Sequence, residues 1–87
     1  MKAVVTVVGK DKSGIIARVT EFLANKGANV EDISQTVLQN YFAMIMLVET
    51  GSVQIGEFRK GAEELGKSIG VDISIQHEDV FSAMHRI

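Results

Sequence analysis

The chain has no cysteine, no proline and no tryptophan among its 87 residues, and only two histidines, His77 and His85. Without cysteine it can form neither disulfides nor a thiolate zinc site, and two histidines near the C-terminus are a weak signal for any metal. A single domain of this size buries only about 60–65% of the surface of its unfolded chain. With no covalent staple, self-association is an obvious source of added stability, so we expect a homodimer.

The chain also lacks an excess of either charge and any long apolar run. The chain has nine lysine and arginine residues and eleven aspartate and glutamate residues. This near balance argues against nucleic acid or an anionic membrane as a partner. The longest apolar runs, residues 3–8 and 41–48, fall far short of the roughly 20 residues that span a bilayer. The run after Lys2 is too short for a signal peptide, so we expect a cytoplasmic protein.

Hydrophobic spacing predicts an α+β fold. The predicted strands are residues 2–8, 29–38, 41–48 and 71–78, and the predicted helices are residues 14–26 and the segment from Ser52 to Ile69. Strands 2–8 and 41–48 are apolar on both faces and therefore belong in the middle. The result is the ferredoxin-like β-α-β-β-α-β arrangement: a four-stranded antiparallel sheet ordered 4-1-3-2, with both helices on one face. The other face must meet the tail, a second subunit, or both.

Several local features refine this prediction. Poor alternation in the second strand predicts a bulge near Asp32–Ile33. Ser13, Ser52 and Asp79 are the predicted N-caps of the two helices and of a short helical tail. The second helix should carry the ion pairs Arg59–Glu63, Lys60–Glu64 and Glu63–Lys67. Its internal glycines, Gly61 and Gly66, indicate either fraying or close approach to the sheet. The tail would bury a stripe of Val80, Phe81, Met84 and Ile87.

The segment Gly9-Lys10-Asp11-Lys12-Ser13-Gly14-Ile15 is the best candidate for a functional site. It joins a strand directly to a helix, which leaves free backbone N–H groups at the positive end of the helix dipole. Asp11 adds an acceptor, so the loop suits a zwitterion with a carboxylate and an amine. The structural alternative is that Asp11 only closes the turn, and on these residues alone that interpretation is favoured.

Catalytic functions lack the residues that they require. Neither histidine is near Ser13 in sequence, and His77 occupies an inward strand position. Acyl phosphate hydrolysis needs an arginine in the first loop, which has Lys10 and Lys12 instead. Single-stranded RNA binding needs aromatic residues on the central strands. A binding module without catalysis or cofactor remains, with the loop facing the second strand of a neighbouring subunit, where Asn29, Asp32, Ser34 and Gln35 supply donors and acceptors.

Two segments carry a family resemblance: GKDKSGI at residues 9–15 and NKGANVEDI at residues 25–33. Together they resemble the ACT domain family, and are similar to the ACT domains of the glycine cleavage repressor and of formyltetrahydrofolate deformylase. The end of the chain, residues 84–87, resembles that of freestanding single-domain members. The resemblance assigns residues 1–78 to the domain and residues 79–87 to a helical tail.

The resemblance implies a non-catalytic regulatory protein that dimerises and binds an amino acid or related metabolite at a subunit interface. The ligand-binding residues it implies are Asp11, Lys12, Ser13, Gly14, Ile15, Asn29, Asp32, Ile33, Ser34 and Gln35. Family members often carry proline where this chain has Ser13. The alternative is an interaction module without a ligand, in which the sheet face or the tail binds a protein partner.

Overall fold

A computed structural model describes residues 1–10 and 14–84 of the chain. The elements in chain order are β1 (Lys2–Lys10), α1 (Ile15–Asn25), β2 (Asn29–Leu38), β3 (Tyr41–Glu49), α2 (Ile55–Ile69), β4 (Asp72–His77) and α3 (Glu78–Met84). The predictions for Asp11, Lys12, Ser13, His85 and Ile87 concern residues outside the described part of the chain.

The four strands form one antiparallel sheet in the order β2-β3-β1-β4, which confirms the predicted order. The two strands predicted to be central, β1 and β3, pair along their whole length, from Lys2 opposite Glu49 to Lys10 opposite Tyr41. The strand with the cleanest alternation, β4, forms one edge, and β2 forms the other. Apolar character on both faces therefore identified the middle of the sheet correctly.

One hydrophobic core lies between the sheet and the two long helices. Alternate residues of β1 and β3 meet the apolar stripes of α1 and α2, and the most deeply buried members are Ala3, Val5, Val7, Met44, Met46, Val48, Val19, Leu23 and Phe58. Because β1 and β4 place matching residues side by side, Val5 opposite Ile75, the core also extends to the edge strand. This packing confirms that both helices cover the same face of the sheet.

A β-bulge bends the edge strand β2 at Glu31. Val30 and Asp32 pair with consecutive residues of β3, which leaves Glu31 as the extra residue. The predicted bulge is confirmed, one residue earlier than expected, and it puts Val30 and Ile33 on the same face of the strand. Glu31 reaches over the sheet to Lys2, with Oε1 at 3.1 Å from Nζ. This hydrogen bond and the charge of Glu31 raise the pKa of Lys2.

Both long helices begin without a side-chain cap. The N-cap of α1 is Gly14, with φ of 91°, rather than Ser13. The N-cap of α2 is Gln54, so the prediction that Ser52 caps this helix is wrong. Ser52 follows Gly51 in the preceding turn, two residues too early for its hydroxyl to occupy the cap position. The predicted C-terminal stops are confirmed, since positive φ angles follow the last turns of both helices at residues 27 and 70.

The exposed side of α2 carries fewer ion pairs than its sequence predicts. In the described part of the chain, Lys67 and Glu63 are paired at 3.5 Å, as predicted. Arg59 instead donates from Nε to the carbonyl oxygen of Ile75 in β4, at 2.8 Å. A fixed backbone acceptor at the sheet edge competes with the mobile Glu63 carboxylate for the guanidinium, which the helical spacing alone could not indicate. Arg59 thereby occupies part of the free edge of β4.

The two glycines inside α2 mark close approaches rather than fraying. A Cβ atom on Gly61 would lie 2.8 Å from the ring of Phe22 in α1. A Cβ atom on Gly66 would lie 2.6 Å from the carbonyl oxygen of Val71, which begins the turn into β4. The sequence left both interpretations open, and the structure selects the second.

The short helix α3 follows β4 directly. It begins at Glu78, two residues earlier than a cap at Asp79 predicts, so Asp79 lies in its first turn rather than at the cap. Nδ1 of His77 accepts a hydrogen bond from the backbone N–H of Asp79 at 3.1 Å, and therefore performs the capping role that was predicted for Asp79. Phe81 is partly buried, whereas Val80 remains 47% exposed.

The face of the sheet opposite the helices is only partly covered. The α3 helix contacts β1 and β4, and Val4 is buried on that face. Val8, Tyr41 and Ile45 remain 42%, 57% and 44% exposed. These three side chains form the open-face patch. Because they are still exposed beside α3, contact of this face with a further partner stays a prediction. No helix within residues 1–10 and 14–84 combines the length and apolar character needed to cross a bilayer.

The start of the chain is tied to the end of β3. The terminal ammonium group of Met1 lies 2.5 Å from Oε1 of Glu49, and the Met1 carbonyl accepts hydrogen bonds from the backbone and hydroxyl of Thr50. The hydrogen bond from this ammonium holds the pKa of Glu49 below its ordinary value of 4.5, and Gly51 N–H adds to the effect.

We expect the stabilising effect of Glu49 to depend on pH. Because the folded state lowers the pKa of this carboxyl, its contribution is present above the ordinary value of 4.5 and is lost as the pH falls below it. Glu49→Gln should therefore lower the urea midpoint at pH 7, and its effect should be smaller at pH 3. The matched control is Glu64→Gln on the exposed side of α2. An equal effect of Glu49→Gln at both pH values would contradict this assignment.

Candidate functional site

The first strand ends and the first helix begins at the same end of the sheet. Gly14 has a left-handed backbone and accepts the first helical hydrogen bond, from the N–H of Arg18 at 3.0 Å. The first turn of α1 contains no acidic residue, so no carboxylate of its own competes for the free N–H groups of this turn. This end of α1 can therefore receive an anionic group from a ligand.

Within a single chain, the predicted ligand-binding residues differ in their position and in their exposure. Gly14 is exposed at the helix start, whereas Ile15 is 4% exposed and belongs to the core, which leaves only its backbone available. Asp11, Lys12 and Ser13 lie outside the described residues. The β2 members of the predicted site are all exposed along the edge strand: Asn29, Asp32, Ile33, Ser34 and Gln35.

One chain does not bring the loop and Asn29, both parts of the predicted site, together. Lys10, which leads into the loop, is opposite Tyr41 of β3, whereas Asn29 is opposite Glu49 at the other end of β3. Eight residue steps along β3 separate these rows, which corresponds to about 26 Å. A site that uses both the loop and Asn29 therefore requires a second copy of the chain.

The two sheet edges differ in how well they are protected. The β2 edge is long, every residue whose side chain is described is exposed, and it carries neither lysine nor proline. The β4 edge is only six residues long and has Arg59 on the Ile75 carbonyl. Natural sheets protect free edges with short strands, charged side chains and bulges. The β2 strand has a bulge at Glu31, whereas β4 is short and has its edge contacted by an arginine from α2. The β2 edge is therefore the better suited to pairing with another strand.

A groove opens on the other side of the same loop, between the end of β1 and the last turns of α2. Its volume is about 670 Å³, within the usual range for small-molecule sites. The lining residues are Val8, Gly9, Lys10, Tyr41, Glu63, Gly66, Lys67, Gly70, Val71, Asp72 and Ile73. A smaller cavity of about 420 Å³ continues it along β4, and the two share Glu63 and Ile73.

Sequence reasoning identified only the β1 end of this groove. Lys67 and Asp72 were assigned to a solvated helix surface and to the wet face of an outer strand, and neither periodicity nor charge spacing connects them to Lys10. The one usable signal was the pair of glycines, Gly9 and Gly66, since a Cβ atom on either would collide with Val71. Both glycines therefore mark places where the backbones of β1 and α2 approach the turn before β4.

Within the described residues, His, Asp and Glu side chains form no cluster of three or more that could hold a metal ion. The nearest arrangement is Nδ1 of His77 at 3.7 Å from a carboxylate oxygen of Asp79, and this histidine is engaged in capping α3. Among the described residues, the site offers backbone N–H groups, lysines and carboxylates, which are groups that can bind a ligand, and no nucleophile among them contacts a base.

Comparison with known proteins identifies relatives over almost the full chain. The family model for the ACT domain matches residues 2–76. The UPF0237 protein of Methanopyrus kandleri is 50% identical, with 99% of this chain and 98% of that protein aligned. The structure of an ACT domain protein from Streptococcus pneumoniae is 46% identical and superposes with a TM-score of 0.85, covering 98% of both chains.

More distant solved structures share the fold at identities too low to indicate function. A protein assigned as a glycine cleavage system transcriptional repressor is 22% identical with a TM-score of 0.78, covering 88% of this chain and 47% of that one. The formyltetrahydrofolate deformylase of Pseudomonas putida is 15% identical with a TM-score of 0.80, covering 88% of this chain and 29% of that one. Both likenesses were predicted from residues 9–15 and 25–33.

Proposed function

Because this chain belongs to the ACT domain family, whose members are generally regulatory rather than catalytic, we propose that it is a non-catalytic cytoplasmic regulator. It binds an amino acid or a related small metabolite between two copies of the chain and acts on a separate partner protein. The observation that carries the proposal is the long, exposed β2 edge, together with the distance between the end of β1 and Asn29 in a single copy.

Pairing of two β2 strands about a two-fold axis joins the separated halves of the site. Antiparallel pairing places the partner's Asn29 next to the Leu38 end of β2, which is the end of the sheet where β1 passes into the loop. The α1 helix contacts β2, and its first residue follows the loop after β1. Each ligand would lie between the loop of one copy and the partner's β2 strand.

The chemistry of the two halves suits a zwitterion. The start of α1 offers N–H groups for a carboxylate, and the partner's Asp32 offers an acceptor for an ammonium group. In one copy Asp32 accepts a hydrogen bond from the N–H of Ile33 at 2.9 Å, which leaves its second oxygen available to a ligand. Binding across the dimer would favour one arrangement of the two copies and so alter the surface offered to a partner protein.

The dimer is tested by placing a charge on the proposed interface. Ile33→Lys puts two like charges near the two-fold axis, and we expect it to convert a dimer to a monomer in analytical ultracentrifugation. Ile45→Lys is the matched control, because Ile33 and Ile45 are 41% and 44% exposed but Ile45 lies on the open-face patch. A wild-type chain that sediments as a folded monomer at all concentrations would refute the proposed dimer.

The ligand is tested by a thermal-shift panel of the common amino acids. A true ligand at about 100 times its dissociation constant should raise the free energy of unfolding by roughly 2.7 kcal/mol. The stabilisation by this compound should be much smaller in Ile33→Lys, because the monomer has only half of the site between subunits. A flat panel with the wild-type dimer would count against sensing of amino acids.

The open-face patch supports a second candidate function, that of an interaction module without a ligand. Val8, Tyr41 and Ile45 are contiguous neighbours on β1 and β3 and remain exposed beside α3. Exposed apolar patches of this kind mark protein contacts. Dissociation by Ile45→Lys but not by Ile33→Lys, together with a flat ligand panel, would favour this function over the first.

A further inference from the structure

We propose that the groove between β1 and α2 is a second ligand site, contained in one copy of the chain, which binds an amino acid with an apolar side chain. The proposal shares its ligand class with the proposed function but does not need the dimer. It rests on a gap in the sheet, on two unpaired opposite charges that border this gap, and on the apolar surface between them.

The gap arises because β4 is shorter than β1. Pairing of β1 with β4 ends at Val8 opposite Asp72, whereas pairing with β3 continues to Lys10. On the β4 side, Gly9 and Lys10 therefore have no neighbouring strand within the described residues. Val71 packs directly against Gly9 and forms the floor of the opening.

Two opposite charges stand on either side of this gap. Lys10 and Asp72 project from the same face of the sheet, since Lys10 is two residues beyond the Val8–Asp72 pair. Such diagonal neighbours have Cβ atoms about 7–8 Å apart, a distance that their side chains can bridge through an inserted group. Within the described residues, neither Lys10 nor Asp72 forms an ion pair, whereas Lys67 is already paired with Glu63.

An α-amino acid complements this arrangement in charge and in polarity. Its carboxylate accepts from Nζ of Lys10, and its ammonium group donates to the carboxylate of Asp72. An apolar side chain then lies on Val8, which projects from the same face of the sheet as Lys10 and Asp72 and is 42% exposed. A ligand with only one charged group would leave the opposite charge of the groove without a partner, so both groups are needed for binding.

The site is tested by comparing leucine with its two half-molecules. The three compounds share the same apolar branch. Leucine carries both charges, 4-methylpentanoate carries only the negative charge, and 3-methylbutylamine carries only the positive charge. In amide-detected NMR titrations, leucine should shift the signals of residues 8–10 and 70–73. We expect leucine to bind about tenfold more tightly than either half-molecule, the usual scale for losing a hydrogen bond to a charged group.

Two substitutions that keep side-chain size remove one charge at a time. Lys10→Met and Asp72→Asn should each weaken leucine binding about tenfold. Lys60→Met, on the exposed side of α2 and outside the groove, is the matched control and should have no effect. Ile33→Lys should retain leucine binding in the groove, even though it abolishes the site between subunits, so the two proposals can fail independently.

Three results would overturn the groove site. The first is equal binding of leucine and a half-molecule. The second is unchanged leucine binding by Lys10→Met. The third is the absence of shifts at residues 8–10 and 70–73 with leucine at about 20 mM, a concentration well above a millimolar dissociation constant. Shifts confined to residues 14–16 and 29–35 would support the site between subunits and reject the groove.

Discussion

Phe58→Ala is expected to lower the free energy of unfolding by about 3–5 kcal/mol, the usual cost of truncating a fully buried aromatic residue. Phe58 has no exposed surface and is the first buried residue on the face that α2 presents to the sheet. Its ring also meets that of Phe22 edge-on, with centroids 5.5 Å apart. Small domains have only about 5–15 kcal/mol of stability in total. A loss of this size would therefore remove much of the free energy that keeps the protein folded.

This prediction is measured by urea unfolding at one fixed protein concentration, since dimerisation would also affect the midpoint. If Phe58→Ala does not fold, Phe58→Leu preserves most of the volume and should cost only about 1–1.5 kcal/mol. Phe22→Ala is the matched control, because Phe22 belongs to the same ring pair but is only partly buried. A loss from Phe22→Ala as large as that from Phe58→Ala would contradict the description of the core.

The sequence was sufficient to predict the sheet order and the layer of helices. Strands β1 and β3 carry apolar residues on both faces, and this property alone placed them in the centre. Ile15, Val19, Phe22 and Leu23 recur at helical spacing in the sequence, which likewise predicts the buried side of α1, and all four are buried or partly buried in the structure. These features depend on the spacing of side chains along one element, which the sequence contains directly.

Caps and polar contacts were predicted less well, because each depends on a choice among several partners. Arg59 could pair with Glu63 on its own helix or reach β4, and only the position of the sheet edge decides in favour of the Ile75 carbonyl. The cap of α3 was assigned to Asp79 by residue type, but His77 precedes the first helical residue and accepts the hydrogen bond. A shift of two residues in the start of the helix changes which side chain can act as a cap.

The candidate site was predictable only as far as it lies on one continuous segment. Residues 9–15 are contiguous, so their pattern was visible in the sequence. The groove joins Lys10 with Asp72, sixty-two positions away, through the pairing of β1 with β4, and no periodicity predicts which residues stand at the end of that pairing. The site between subunits depends in addition on which sheet edge pairs with a second copy of the chain. The argument for the β2 edge uses the contact of Arg59 with the β4 edge, which the sequence does not predict.

The α2 helix links the core to the groove. One of its faces contributes Phe58 and Ala62 to the core, and the next residues around the helix, Glu63 and Lys67, stand on the rim of the groove. Gly66 lies between these two faces and contacts the turn that begins β4. The carbonyl oxygen of Gly66 accepts from the N–H groups of Gly70 and Val71, at 2.8 and 2.9 Å. The position of this one glycine therefore fixes both the end of the helix and the width of the groove.

Gly66→Ala should consequently destabilise the protein, although alanine is the better helix former. The added Cβ atom would lie 2.6 Å from the Val71 carbonyl oxygen, and a backbone atom cannot move aside as a flexible side chain can. Overpacking of this kind costs about 1–3 kcal/mol, against a gain of about 1 kcal/mol from helix propensity. We expect a net loss of about 1–2 kcal/mol in urea unfolding, accompanied by shifted amide signals at residues 70–73.

Gly56→Ala provides the matched control in the first turn of the same helix. No atom lies within 4 Å of a Cβ atom built on Gly56, so only the gain from the reduced freedom of the unfolded chain remains. This substitution should raise the free energy of unfolding by about 0.4–1 kcal/mol without altering the amide signals of residues 70–73. If the two alanine variants were equally stable, α2 would not be held against the turn before β4, and the groove would lose the wall that gives it its shape.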